Sequence, residues 1–171
     1  MNEEEIVEII RHYRHDWLNE LQLIMGYAQM GKLERVQEKT QDILAMTNHE
    51  RALDQLGLPK TLITILQQQW RTDEISLTYQ VNREQQNVEA SDEQVEKHLS
   101  QLLQQLRQMA TTTNPMNVEL MLNADTDQLV IQAVISPSQA YNKQEIKYIQ
   151  NLSFIQKITT EDSVIHIEWI E

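Results

Sequence analysis

Apolar residues recur along the first thirty positions at spacings of three and four. Ile6, Ile10, Tyr13, Trp17, Leu21, Ile24 and Ala28 fall on one side of a helix turning about 100° per residue. The spacing predicts a helix from about residue 3 to residue 30, with acids at the positive end of its dipole. Gly31-Lys32 is a break that ends a helix and reverses the chain. Leu33, Val36, Thr40, Ile43 and Thr47 then carry a three-four spacing to about residue 54, giving an antiparallel helical hairpin. Two helices enclose too little to make a core. Their shared stripe calls for more helices, which a second copy of the chain would supply as a dimeric four-helix bundle. Packing of the hairpin on the rest of its own chain is the alternative.

Gly57-Leu58-Pro59 interrupts the pattern and sets the expected domain boundary, 1–56 against 57–171. Beyond it the spacing predicts a short helix over 62–70 and a strand carrying Ile75, Leu77, Tyr79 and Val81. Ser91-Asp92 is placed to cap a helix over 93–110, whose apolar positions are Val95, Leu99, Leu102, Leu103, Leu106 and Met109. Residues 111–115 read as loop. Strands over 117–122 and 129–135 are expected to join through Ala124-Asp125-Thr126-Asp127 as a hairpin. A helix over 142–149 and a strand over 164–169 complete the series. The fold class is α+β: the helical hairpin, then an α/β sandwich with helices against one sheet face.

Charge narrows the function. The 171 residues hold 26 acids and 14 bases, a net charge of -12, the reverse of what a phosphate backbone attracts, so no nucleic-acid partner is expected. The chain has no cysteine, which fits a reducing compartment and removes thiolate metal sites. No apolar run approaches the roughly 20 residues that span a bilayer. The acidic start, Met-Asn-Glu-Glu-Glu, is unlike a basic leader. The expectation is a cytoplasmic protein with no membrane partner.

Opposite the first helix's apolar stripe run Glu8, Arg11, His15, Asn19, Gln22 and Gly26. His15 lies roughly 170° from the centre of the stripe, so its ring faces outward. An outward imidazole beside an acid, with an amide one turn on, suits nucleophilic attack on phosphorus, which asks mainly for positioning and charge neutralisation. Asp16 is placed to orient the ring or take its proton. Asn19, four residues on, lies on the same face. Gly26 leaves room for another protein to approach the backbone. Arg11 and Arg14 could neutralise phosphoryl charge, with a structural ion pair an equal reading for Arg14. His12 shares the surface, and Leu23 offers an apolar contact near it. His49, His98 and His166 show no ligand spacing, and no metal site is expected. Trp17, Trp70 and Trp169 read as packing residues.

The string His15-Asp16-Trp17-Leu18-Asn19, followed by Leu21-Gln22-Leu23-Ile24 and Gly26, resembles the phosphoacceptor helix of the sporulation initiation phosphotransferase B family. That motif is shared with the dimerisation helices of citrate- and fumarate-type sensor histidine kinases. The resemblance is close over about twenty residues and loose over the C-terminal third. It implies a homodimeric phosphorelay phosphotransferase in which His15 accepts a phosphoryl group from the aspartate of a single-domain response regulator. The group then passes to the aspartate of a second regulator controlling sporulation. His15 and Asp16 are the implied catalytic residues. Arg11, His12, Arg14, Asn19, Gln22, Leu23 and Gly26 are the implied partner-binding set. No cofactor of its own is expected, and Mg2+ would belong to the partner receiver domain.

The sandwich also resembles a histidine-kinase ATPase domain, which raises a degenerate sensor kinase as one alternative. Glycine argues against it. The three glycines are Gly26, Gly31 and Gly57, and none follows to form a phosphate-enclosing loop. A non-catalytic adaptor or inhibitor that binds a histidine kinase or response regulator through the same helix is the other alternative.

Overall fold

The computed structural model describes residues 3–71, 74–83, 89–125, 128–139 and 143–171. Met1, Asn2, the Thr126-Asp127 pair of the expected hairpin turn, and Asn142 at the expected start of a helix lie outside the described residues. The chain divides into two compact units, Met1–Arg51 and Ala52–Glu171.

The first unit contains α1 (Glu3–Gln29) and most of α2 (Leu33–Asp54). Gly31 closes α1 at a positive φ of 69°. Around it, the Lys32 N–H reaches the Tyr27 carbonyl at 2.9 Å and the Gly31 N–H reaches that of Ala28 at 3.0 Å. This doubled cap satisfies two terminal carbonyls and needs a left-handed residue, which glycine supplies without steric cost. The helices meet along half-buried Ile9, Tyr13, Glu20, Ile24 and Tyr27 on α1, and Val36, Lys39, Ile43 and Glu50 on α2. Thr40 and Thr47 stay exposed, although both fall in the expected stripe. Their hydroxyls donate to the carbonyls of Val36 (2.7 Å) and Ile43 (2.9 Å), one turn back on the same helix.

The second unit is a two-layer sandwich. Its elements are α3 (Pro59–Trp70), β1 (Ile75–Arg83), α4 (Asp92–Met109), β2 (Met116–Ala124), β3 (Leu129–Pro137), α5 (Lys143–Gln150), β4 (Lys157–Glu161) and β5 (Val164–Ile170). The sheet order is β1-β2-β3-β5-β4, with β1 parallel to β2 and the other pairs antiparallel. The parallel pair requires a crossover, and α4 makes it. Six residues of α4, Val95, Leu99, Leu102, Leu103, Leu106 and Met109, are buried at helical spacing. They join Ile65, Ile149 and the inward positions of the strands in one core. Leu53, Leu56 and Leu58 belong to that core as well, so the link out of α2 is anchored in the sandwich.

Two features hold α3 in place. Proline at its first turn has no N–H to leave unpaired. The next donors are met from a neighbouring helix: Asp92 accepts from the Lys60 N–H (2.8 Å), the Thr61 N–H (3.0 Å) and the Thr61 hydroxyl (3.0 Å). The expected Ser91-Asp92 cap of α4 is therefore spent elsewhere. Ser91 occupies the cap position without a side-chain bond, and Asp92 serves α3. The other end of α3 protects the sheet edge. Gln68 and Gln69 donate to the Ile75 and Leu77 carbonyls of β1 at 3.2 and 3.4 Å, occupying groups that an edge strand otherwise offers to another chain.

Strand β4 had no counterpart in the hydrophobic pattern. Only Ile158 is half-buried among its five residues, so no alternation marks it. It pairs with β5 through a turn in which Asp162 and Ser163 both take positive φ, 46° and 70°, the two-residue hairpin geometry that matches strand twist. The sheet face away from the helices is polar, with cross-strand bonds Gln80–Glu119, Asn82–Asn123 and Gln132–Glu168 at 2.7–2.8 Å.

Candidate functional site

The polar row of α1 is outward in the folded hairpin. The His15 side chain is 71% exposed and that of Asp16 54%. Arg11, His12, Arg14, Asn19, Gln22 and Leu23 are exposed too, and Gly26 is half-buried. Of these, the structure brings Asp16 and Asn19 to the ring. His15 Nδ1 lies 3.2 Å from Asp16 Oδ1 and 3.2 Å from Asn19 Nδ2. Both neighbours converge on the same nitrogen, and among the described residues no hydrogen bond engages Nε2. Arg11, Arg14, Gln22 and Leu23 share the exposed sides of α1, and among the described residues the polar contacts of the ring are those with Asp16 and Asn19. A Cβ added at Gly26 would meet no atom within 4 Å. The fold of this chain does not itself require glycine there.

The outward aim of His15 has a mechanical basis that periodicity alone did not disclose. Tyr13 donates its hydroxyl to Glu50, and Glu20 pairs with Lys39 at 2.7 Å, both across the hairpin. Tyr13 and Glu20 sit one heptad apart, roughly 140–160° around the helix from His15. Two ties on the far side of the rod fix its rotation and hold the imidazole out. The Glu20–Lys39 side chains are only about a quarter exposed (27% and 25%), and the hydrogen bond that Lys39 donates to Glu20 raises the Lys39 pKa above its ordinary value. On the alkaline side that tie therefore persists beyond the ordinary lysine range and loosens as pH climbs past the raised value.

The other histidines separate by environment. His98 pairs with Glu171, whose carboxylate is almost fully buried, and stacks on Phe154 with ring centroids 4.3 Å apart. Phe154 meets Trp169 edge-on at 5.5 Å. This is an internal cluster of the sandwich, and sequence spacing gave no sign of it because its members are separated by up to 73 positions. His166 lines a shallow depression of about 250 Å³ on the open sheet face, together with Lys157, Thr159, Gln132 and Glu168. Among the described residues, no cluster of His, Asp or Glu is arranged to hold a metal ion, and no helix is long and apolar enough to cross a membrane.

Residues 1–56 match the family model described as "Sensor_kinase_SpoOB-type, alpha-helical domain". The chain is 30% identical over 129 residues to sporulation initiation phosphotransferase B of Bacillus subtilis (strain 168), a match that covers 74% of this chain and 67% of that one. The chain belongs to the sporulation initiation phosphotransferase B family. Membership supports a phosphorelay-related function of the phosphotransferase kind, and α1, which bears His15, falls inside the segment matched by the family model. Among solved structures, the chain is similar to histidine kinase ThkA in complex with response regulator protein TrrA, at 11% identity over 95% of this chain and 60% of that one, with a TM-score of 0.44. It is also similar to Acinetobacter baumannii histidine kinase AdeS, at 9% identity over 91% of this chain and 96% of that one, with a TM-score of 0.41.

Proposed function

We propose that the protein is a histidine phosphotransferase of a sporulation phosphorelay, carrying a phosphoryl group on His15 between the aspartates of two response regulators. The observation that carries this reading is the outward ring of His15, held at Nδ1 and open at Nε2. With its proton on Nδ1 and directed at the Asp16 carboxylate, the neutral imidazole has a lone pair at Nε2. That pair attacks phosphorus in line, the P–O bond to the receiver aspartate breaks, and the carboxylate leaves with the bonding electrons. Onward transfer runs the same step in reverse toward the second regulator. A rigid helix that projects the nucleophile suits a reaction in which positioning supplies most of the acceleration.

Arg11, His12, Arg14, Gln22, Leu23 and Gly26 form the surface on which a receiver domain seats, with Asn19 at its centre. Mg2+ belongs to the receiver's acidic pocket, and the chain contributes no ligand to it. The functional unit is a homodimer. Trp17, Ile10 and Leu21 lie on the apolar side of α1 at 37–55% exposure, and a second hairpin would cover them as a four-helix bundle. The lack of any glycine after Gly57 supports the absence of autokinase activity.

The test is to mix the purified chain with a receiver domain carrying labelled aspartyl phosphate. Acid-labile, base-stable label should appear on the wild-type chain and vanish in His15→Ala, whose circular dichroism should be unchanged because the side chain is largely exposed. Label that still reaches the His15→Ala chain would reject the assignment.

A further inference from the structure

We propose that Asn19 is a brake on His15, competing with Asp16 for Nδ1 so that the ring alternates between a nucleophilic and a silent tautomer. The inference deepens the acceptor role of His15 and rests on that reading.

The two contacts on Nδ1 are equal in length, 3.2 Å each, and they make opposite demands. A neutral imidazole carries one N–H and one lone pair on its two nitrogens. The Asp16 carboxylate only accepts, so its bond requires the proton on Nδ1 and leaves the lone pair at Nε2, on the exposed side. The Asn19 Nδ2 group only donates, so its bond requires the lone pair on Nδ1 and places the proton on Nε2. In that second state the outward nitrogen has nothing with which to attack phosphorus. One nitrogen cannot serve both partners at once. The charged acceptor forms the stronger bond, which biases the ring toward the reactive state without abolishing the other.

A docking partner that takes up the Asn19 amide removes the competitor, so the ring becomes fully nucleophilic only when a receiver is seated. The same competition acts on the phosphorylated ring. Acceptance at Nε2 forms the P–N bond and leaves a cationic ring, whose Nδ1 proton passes by way of Asp16 to solvent. The neutral phosphoimidazole then has its lone pair at Nδ1, where Asn19 donates to it. Departure of the phosphoryl group returns the P–N electrons to the ring and is eased by reprotonating Nδ1, the state Asp16 favours. Asn19 thus slows both loading and loss of the group away from a partner. It is a positioning residue acting through the tautomer of His15.

The deciding measurement is the 15N spectrum of the His15 ring at a pH where it is neutral, in wild type, Asn19→Ala and Asp16→Asn. Asn19→Ala should raise the ratio of Nδ1–H to Nε2–H about two- to tenfold, the weight of one hydrogen bond, and Asp16→Asn should lower it. Phosphoramidate, a small donor that needs no docking surface, should load Asn19→Ala faster by a similar factor, whereas a phosphorylated receiver should load it more slowly. An unchanged tautomer ratio in Asn19→Ala overturns the proposal, as does slower loading from phosphoramidate. A shifted ratio with no loading of the wild-type chain from either donor would instead overturn the acceptor reading and leave the tautomer competition standing.

Discussion

In the α/β unit, Trp169, Leu102 and Ile65 are completely buried. In the helical hairpin, Trp17, Ile10 and Leu21 keep between 37% and 55% of their surface exposed. The same residue types therefore do different work in the two units. Five strands and three helices give an inward residue neighbours on every side, so the sandwich closes its core within one chain. A hairpin has one seam, and it is held by a modest set of half-buried residues with polar ties across it that include Tyr13–Glu50 and Lys39–Glu20. Its remaining apolar side is surface available to a partner. The difference teaches that the sandwich closes its own core, whereas the hairpin leaves much of its apolar surface uncovered.

Alanine at the two tryptophans should separate the units most sharply. Trp169→Ala removes a fully buried ring and should cost about 3–5 kcal/mol, enough to unfold the sandwich in chemical denaturation. Trp17→Ala should leave the melting of the sandwich unchanged and weaken self-association in sedimentation equilibrium. If Trp17→Ala leaves self-association unaltered, the exposed stripe is not a subunit contact. Next in size is loss of a polar tie. Asp92→Ala strands the Lys60 and Thr61 donors and should cost about 1–3 kcal/mol, read from urea unfolding. Glu20→Gln, at a partly exposed ion pair, should cost less. An equal loss for both would mean the hairpin depends on its ties as strongly as the sandwich does. The smallest effects come from exchanging glycine. Ser163→Gly relieves a non-glycine residue at φ 70° and should stabilise the sandwich by about 0.5–1 kcal/mol in thermal melts. Gly26→Ala should stabilise α1 by up to about 1 kcal/mol, since nothing in the chain opposes the added methyl. It should also weaken receiver binding if that backbone is approached closely.

Much of the fold was legible because it repeats. The three-four spacing in α4 and the alternation in β1, β2, β3 and β5 each reflect a face turned to a core, and a one-sided face leaves a period in the sequence. In α1 only Tyr13 and Ile24 of the expected stripe are half-buried in the seam, and Ile6, Ile10, Trp17, Leu21 and Ala28 stay exposed. Strand β4 was illegible for the same reason. It is an edge strand exposed on nearly all its residues and has no inside to mark. The α2 stripe was overread at Thr40 and Thr47, because a hydroxyl can bond back to its own helix and need no neighbour. In the candidate site, the outward aim of His15 followed from helical geometry, and Asp16 and Asn19 were legible as its near neighbours.

The sequence by itself determined which residues share a face and hence that His15 stands opposite the apolar stripe, because helical periodicity is local and depends on nothing beyond the next turn. Only the tertiary structure decided what fixes that face and what each polar group bonds. Tyr13 with Glu50, Lys39 with Glu20, Asp92 with the start of α3, and His98 with Glu171 join positions distant along the chain. The meeting of Asp16 and Asn19 on a single ring nitrogen is local to one turn of α1, a matter of exposed side-chain rotamers that spacing leaves free.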